Sequence, residues 1–193
     1  MQRHQSKMDA LLAGQRPRVL LHVCCAPCAS AVLTRLMPRV SLTLLYYNPN
    51  IRPAAEYIRR LTELRRLLRE MDGMSTLPLL VPGADTIAFD TLIAGRMGEP
   101  EGGTRCEDCF ALRLSYTARL AAAHNFDFFC TTLTLSPHKN AETINSLGET
   151  IGATSGVAWL PSDFKKNDGY RQSVALSTQY GLYRQRHCGC LPS

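Results

Sequence analysis

No run of this 193-residue chain is long and apolar enough to read as a membrane span. The longest, Val19 to Leu33, is broken by His22, Pro27 and Ser30 and falls short of the roughly 20 residues a span needs. The opening stretch, MQRHQSKMDALLAGQRPR, lacks the extended apolar core of a secretory signal, so residues 1–17 read as a loose basic leader. A cytoplasmic protein without membrane contact is the expectation, and in that reducing compartment eight cysteines do not read as a disulfide framework. Also absent are a Walker loop, a dinucleotide glycine fingerprint and a Ser-Gly-Gly phosphate loop after the first apolar run. Chemistry driven by a bound nucleotide is therefore disfavoured. There is no internal repeat and no low-complexity linker, and the length suits one sizeable core over 18–193.

Lysine is scarce, four against 18 arginines, yet the net charge is +6. That balance suits an anionic partner such as nucleic acid, although solubility alone also accounts for it. Short runs rich in branched and aromatic residues, VLLHV, SLTLLYYN, FDFFCTTLT and VAWLP, read as buried strands, with LPLLVP a weaker fifth. Helix-length segments lie between them. In 54–72, Tyr57, Leu61, Leu64, Leu68 and Met71 form an apolar stripe, and Arg59, Arg60, Arg65, Arg66 and Arg69 are expected on a basic outer face. A second helix is expected over 107–124. Such alternation predicts a doubly wound, three-layer α/β domain with a mainly parallel sheet, whose crevice lies beyond the carboxyl ends of the strands.

The cysteines fall at such ends. LLHVCCAPC puts Cys24, Cys25 and Cys28 directly after the first predicted strand, with Pro27 suited to a helix start. RCEDC places Cys106 and Cys109 in a C-x2-C pair near the start of its helix, a spacing suited to zinc, as in a structural knuckle, or to an iron-sulfur cluster. Five candidate thiolates exceed what one tetrahedral metal or one four-iron cluster takes, which suggests a further metal or a free thiol. RHCGC brings Cys188 and Cys190 close enough for a strained, reducible disulfide, or for further metal ligation. Cys130, inside an apolar strand, reads as core packing.

SPHKN and DFKKNDGYRQS combine turn residues with cations. Lys139, Lys165, Lys166 and Arg171 could hold phosphates while Tyr170 stacks on an unpaired base, and LYRQRHC adds Tyr183, Arg184 and Arg186 beside the terminal thiols. Solvated surface is the competing reading for such charge runs. Asp108, Glu107 and His22 are proton-donor candidates by position, and for His22 a satisfied core histidine is the rival reading.

Taken in order, LLHVCCAPC, YYNPNI leading to EYIRR, EGGTRCEDCF, TTLTLSPHKN, DFKKNDGYRQS and LYRQRHCGC resemble the cobalamin-independent epoxyqueuosine reductases of the QueH type, over about residues 18–193. The resemblance implies an adenine-nucleotide-alpha-hydrolase-like, Rossmann-like fold. It also implies the last step of queuosine synthesis, reductive removal of the epoxide oxygen of epoxyqueuosine at the wobble position of a transfer RNA anticodon stem-loop, with an external electron donor. By the same resemblance Cys24, Cys25, Cys106 and Cys109 would ligate a 4Fe-4S cluster, Cys188 and Cys190 would form a redox-active disulfide, and Cys28 would hold a second, mononuclear metal such as iron. His187 stands where an aromatic residue is expected before the terminal Cys-Gly-Cys. Two rival readings remain at this point. One is a zinc-stabilised RNA-binding module without catalysis, and the other is a general thiol-disulfide oxidoreductase, which would need a single solvent-facing Cys-x-x-Cys where this chain spreads its cysteines over three motifs.

Overall fold

The computed structural model describes residues 3–83, 85–185 and 187–190. In chain order the elements are α1 (Arg3–Leu11), β1 (Arg18–His22), α2 (Ala26–Leu36), β2 (Ser41–Leu45), α3 (Ala54–Glu70), β3 (Leu79–Leu80) and α4 (Thr86–Ile93). There follow α5 (Thr104–Ala123), β4 (Phe128–Thr131), a single 3-10 turn (Thr132–Leu135), α6 (Ala141–Ser155), β5 (Ala158–Trp159) and α7 (Gly169–Gln179). The five strands form one sheet in the order β3-β2-β1-β4-β5, and every adjacent pair is parallel.

β1 lies at the centre, flanked by β2 and β4, and for that reason its sequence is apolar on both faces: Val19, Leu20 and Leu21 are all fully buried. Removing such side chains from water contributes roughly 1.5–3 kcal/mol each. The strand order reverses at β1, so a crevice opens between the carboxyl ends of β1 and β4. Register places His22, the last residue of β1, beside Thr131, the last of β4.

All five expected strands form, and the alternation of strand and helix holds along the chain. Two expectations need correction. Residues 1–17 are not a loose leader throughout, because α1 is a helix whose Met8 is fully buried in the core together with Leu12 just beyond it. Met8 and Leu12 anchor it, flanked by polar contacts of His4, Lys7 and Asp9 with Glu142, Glu149 and Arg39, and the basic residues among them gave the segment the look of a tail. Arg60 is not on the outer face of α3 either, being only 3% exposed. Arg59, Arg65 and Arg69 do face water.

Candidate active site

The first thiol group follows from how β1 passes into α2. The backbone stays extended through Cys25, which takes the position just before the helix, and Pro27 lies in the first helical turn, where its missing N–H costs nothing. One turn of helix then brings Cys28 back over Cys24 and Cys25. The three sulfurs lie within 4.8 Å of one another, 3.7 Å separating the sulfurs of Cys24 and Cys25. All eight cysteines are free thiols.

The end of β4 and the 3-10 turn after it support this group. The Thr132 hydroxyl accepts from the Cys24 amide at 3.2 Å and donates to its sulfur at 3.4 Å. His22 Nδ1 meets Thr131 Oγ1 at 2.7 Å, while Nε2 donates to the Tyr47 carbonyl at 3.1 Å. Burial, reinforced by the nearby Arg113 charge, lowers the His22 pKa to about 4. With both nitrogens engaged and no charge at neutral pH, His22 is a strut between strands, which agrees with the core reading of this residue.

Within the triad, hydrogen bonds from Cys25 and then Cys28 hold the Cys24 thiol well below the usual range against the cost of burial, with Lys139 and Thr132 adding to the effect. The same bond pushes Cys25 up to about 12 and Cys28 well up. Hydrogen bonding thus sets the three thiols apart, Cys24 lowered and Cys25 and Cys28 raised, at the positive end of α2.

The second thiol pair is held by a guanidinium. Arg60 Nη1 donates to the Cys188 carbonyl at 2.9 Å and Nη2 to the His187 carbonyl at 3.3 Å, while its Nε pairs with Glu56 at 2.6 Å. Gly189 adopts φ +100°, a conformation side chains rarely take, and a Cβ there would come 3.2 Å from Arg60 Nη2. Hydrogen bonding from Cys190 lowers Cys188 to about 5 against its burial, helped by Lys139 and Arg113, and the reciprocal effect raises Cys190.

Cys106 and Cys109 occupy the first turns of α5, and Arg113 follows one turn later on the same face. Cys106 Sγ accepts from the Gly102 amide at 3.3 Å. Cys109 is buried against Phe89 and Ile93, with Cys190 packed on that cluster. Arg113, 1% exposed, donates from Nε to the Cys109 carbonyl at 3.1 Å. Burial opposes its charge and the surrounding thiols Cys109, Cys188 and Cys24 more than compensate, raising its pKa.

A cavity of about 420 Å³ opens on these elements, lined by Cys24, Cys28, Cys188, Arg60, Arg113 and Lys139, with Asn48, Asn50, Tyr170 and Arg184 around them. A smaller one of about 100 Å³ is lined by Cys106, Glu107 and Lys139 and shares Cys188 with the first. Burial works against the Lys139 charge, but the thiols of Cys188, Cys24 and Cys28 outweigh it and raise its pKa.

Of the cations and aromatics expected to meet RNA, Lys139, Tyr170 and Arg184 reach the larger cavity, Arg184 stacking over the Tyr170 ring at 5.9 Å. Lys165 pairs with Asp163 at 2.9 Å and Arg171 with Asp168 at 3.0 Å, and neither these two nor Lys166 lines either cavity. Arg186 lies outside the described residues. Asp108 is engaged by Arg96 at a part-exposed corner and lines neither cavity. Cys130 is buried, and burial raises its thiol, in keeping with core packing. Sequence reasoning missed Arg113, although its spacing from Cys106 and Cys109, seven and four residues, was enough to put all three on one helical face.

Fold and site together define an α/β protein whose crevice, at the reversal of strand order, is built from cysteine thiols and buried cations, a donor set suited to a soft metal. The family model described as epoxyqueuosine reductase QueH matches residues 19–193, and the chain belongs to that family. It is 41% identical over 178 residues to the epoxyqueuosine reductase QueH of Streptococcus pyogenes, an alignment covering 91% of this chain and 70% of the relative. The Staphylococcus epidermidis protein of the same name is 38% identical, covering 92% and 76%. The one from Thermotoga maritima is 33% identical, covering 90% and 88%.

Proposed function

We propose that this protein reduces the epoxide of epoxyqueuosine in transfer RNA to give queuosine, the last step of queuosine synthesis, acting at the wobble position of the anticodon stem-loop in the cytoplasm. The observation that carries this reading is the meeting of Cys24, Cys28 and Cys188 with Arg113 and Lys139 in one cavity. We assign Cys24, Cys25, Cys106 and Cys109 to a 4Fe-4S cluster and Cys28 to a second, mononuclear metal beside it. The residues suit such groups: the donors are soft sulfurs, three already gathered within 4.8 Å, and a thiol group with one depressed pKa favours a metal in place of its proton. When bound, the cluster supplies one-electron transfer, and an open metal site supplies a Lewis acid.

Deoxygenating an epoxide to an alkene breaks two C–O bonds, takes up two electrons and two protons, and releases the oxygen as water. In its reduced form the Cys188–Cys190 pair is a thiolate with a thiol. Closing it to a disulfide releases two electrons and one proton, and the Lys139 ammonium holds the second. An external reductant then reopens the disulfide. Arg113 supports charge developing on the departing oxygen. Tyr170 and Arg184 at the rim are suited to stack on a base and meet a phosphate. Lys139 takes the acid role that the sequence suggested for Asp108.

The test is anaerobic purification with iron, sulfide and zinc analysis, followed by turnover of epoxyqueuosine-containing RNA. Roughly four irons or more per chain, a brown colour bleached by dithionite and conversion of the RNA support the assignment. Cys188→Ser is expected to retain the iron and lose most turnover. One zinc, no sulfide and no turnover would replace it with the RNA-binding module, and loss of iron in Cys188→Ser would make that residue a ligand.

A further inference from the structure

The loop of the terminal thiols is fixed by three successive carbonyls. Those of His187 and Cys188 accept from Arg60 Nη2 at 3.3 Å and Nη1 at 2.9 Å, and that of Gly189 accepts from the Arg52 amide at 2.8 Å. Both donors come from one element, since Arg52 leads into α3 and Arg60 lies in its second turn. The Arg60 fork is itself aimed. Its Nε pairs with Glu56 one turn earlier at 2.6 Å, and Glu56 also accepts from the Tyr183 hydroxyl at 3.2 Å. Gly189 admits the guanidinium to the loop, because a Cβ there would lie 3.2 Å from Nη2, 3.3 Å from Nη1 and 3.4 Å from Cζ. Within the loop so held, the Cys188 and Cys190 side chains hydrogen-bond to each other. The Arg60 bonds go to carbonyls and a carboxylate, so what it governs is the backbone that carries the two sulfurs.

We propose that Arg60 is the positioning residue of the Cys188–Cys190 couple, holding the open loop in the shape from which the disulfide closes and so favouring the closed form. This rests on the functional reading above, in which the pair gives up electrons, and deepens it. Closing a loose loop costs the ordering of its backbone, and that cost is smaller when the open form is already ordered. A guanidinium suits the task. Its planar fork meets two carbonyls and a carboxylate at once, whereas an ammonium on a flexible stem fixes fewer of them in direction. With oxidised glutathione as acceptor, closure joins the two sulfurs and yields two molecules of reduced glutathione for each disulfide formed.

The experiment equilibrates iron-loaded protein anaerobically, without RNA, in graded ratios of reduced to oxidised glutathione. After an acid quench and alkylation, the mass of the peptide holding Cys188 and Cys190 gives the open and closed fractions. Arg60→Lys, which keeps the charge, is expected to shift the equilibrium about tenfold toward the dithiol, a rise of about 30 mV in potential, with iron content unchanged. Arg60→Met keeps the stem, drops the fork and should shift it at least as far, and either variant carries the test if the other fails to fold. Arg66 is the control, since it too binds carbonyls of the same segment from α3, Tyr180 at 2.9 Å and Gly181 at 3.3 Å, but outside the thiol loop. Arg66→Lys should leave the equilibrium where it is. No shift or the opposite shift in the Arg60 variants overturns the inference, as does an equal shift in Arg66→Lys, loss of iron with Arg60→Lys, or a wild-type pair that never closes. Turnover of epoxyqueuosine-containing RNA is read separately. Wild-type conversion upholds the functional reading even where the equilibrium does not move, and a tenfold shift without wild-type turnover upholds the positioning while removing that reading.

Discussion

His22 shows how a single side chain ties the site to the stability of the sheet. Its folded pKa of about 4 lies below the 6.5 of an unfolded chain, so between those values the unfolded state binds a proton that the native state refuses. The stability it confers is therefore intact above about pH 6.5 and is lost as the pH falls toward 4, a change of about 3 kcal/mol. Urea denaturation midpoints should fall steeply between pH 7 and 5, and His22→Gln should flatten that dependence. A wild-type curve no steeper than the variant's would remove His22 as the cause. Arg60 makes a related point about charge. Its guanidinium replaces water with Glu56 and two backbone carbonyls, which is how a full charge remains in the interior.

Among the elements, α7 depends most on one small residue. A Cβ on Gly169 would lie 1.8 Å from the Phe164 carbonyl oxygen, a backbone atom that cannot swing aside. Gly169→Ala is expected to destabilise the protein by roughly 1–3 kcal/mol or more and to shift Tyr170 and Ser173, which line the cavity one turn along. Denaturant unfolding and RNA affinity measured on the same samples check both effects, and unchanged values would mean the loop yields freely. The strands, the helix stripes and the thiol motifs were legible because periodicity and strand ends carry that information directly. The buried arginines were not. Arg60 stands three residues after Tyr57 and four before Leu64, on the apolar stripe itself, but charge in a helix is ordinarily read as solvated, and only the Cys188 loop from the far end of the chain reverses that. The docking of α1 was hidden for a similar reason, since Met8 and Leu12 gain meaning only from the core they enter.

For the whole molecule, the net charge of +6 makes RNA binding depend on salt. Log affinity for an anticodon stem-loop should fall linearly with log salt, by roughly 0.7–0.9 per phosphate neutralised. Arg184→Ala should reduce that slope. Tyr170→Ala should weaken binding while leaving the slope unchanged, because stacking releases no counterions. Arg171→Ala, removed from the cavity and paired with Asp168, should change affinity least. Equal effects for all three would place the RNA on a different face. The site also gathers residues from three widely separated stretches of chain: Cys24, Cys25 and Cys28, then Cys106 and Cys109, then Cys188 and Cys190. At roughly 5–20 residues per second of synthesis, the first three thiols emerge from the ribosome on the order of ten seconds before the last two. For that interval they are without the partners across the cavity that the last stretch of chain supplies. Loading of the proposed cluster and metal during synthesis would at first find only three of these seven sulfurs, so the proposal favours a chain that is already complete when they bind.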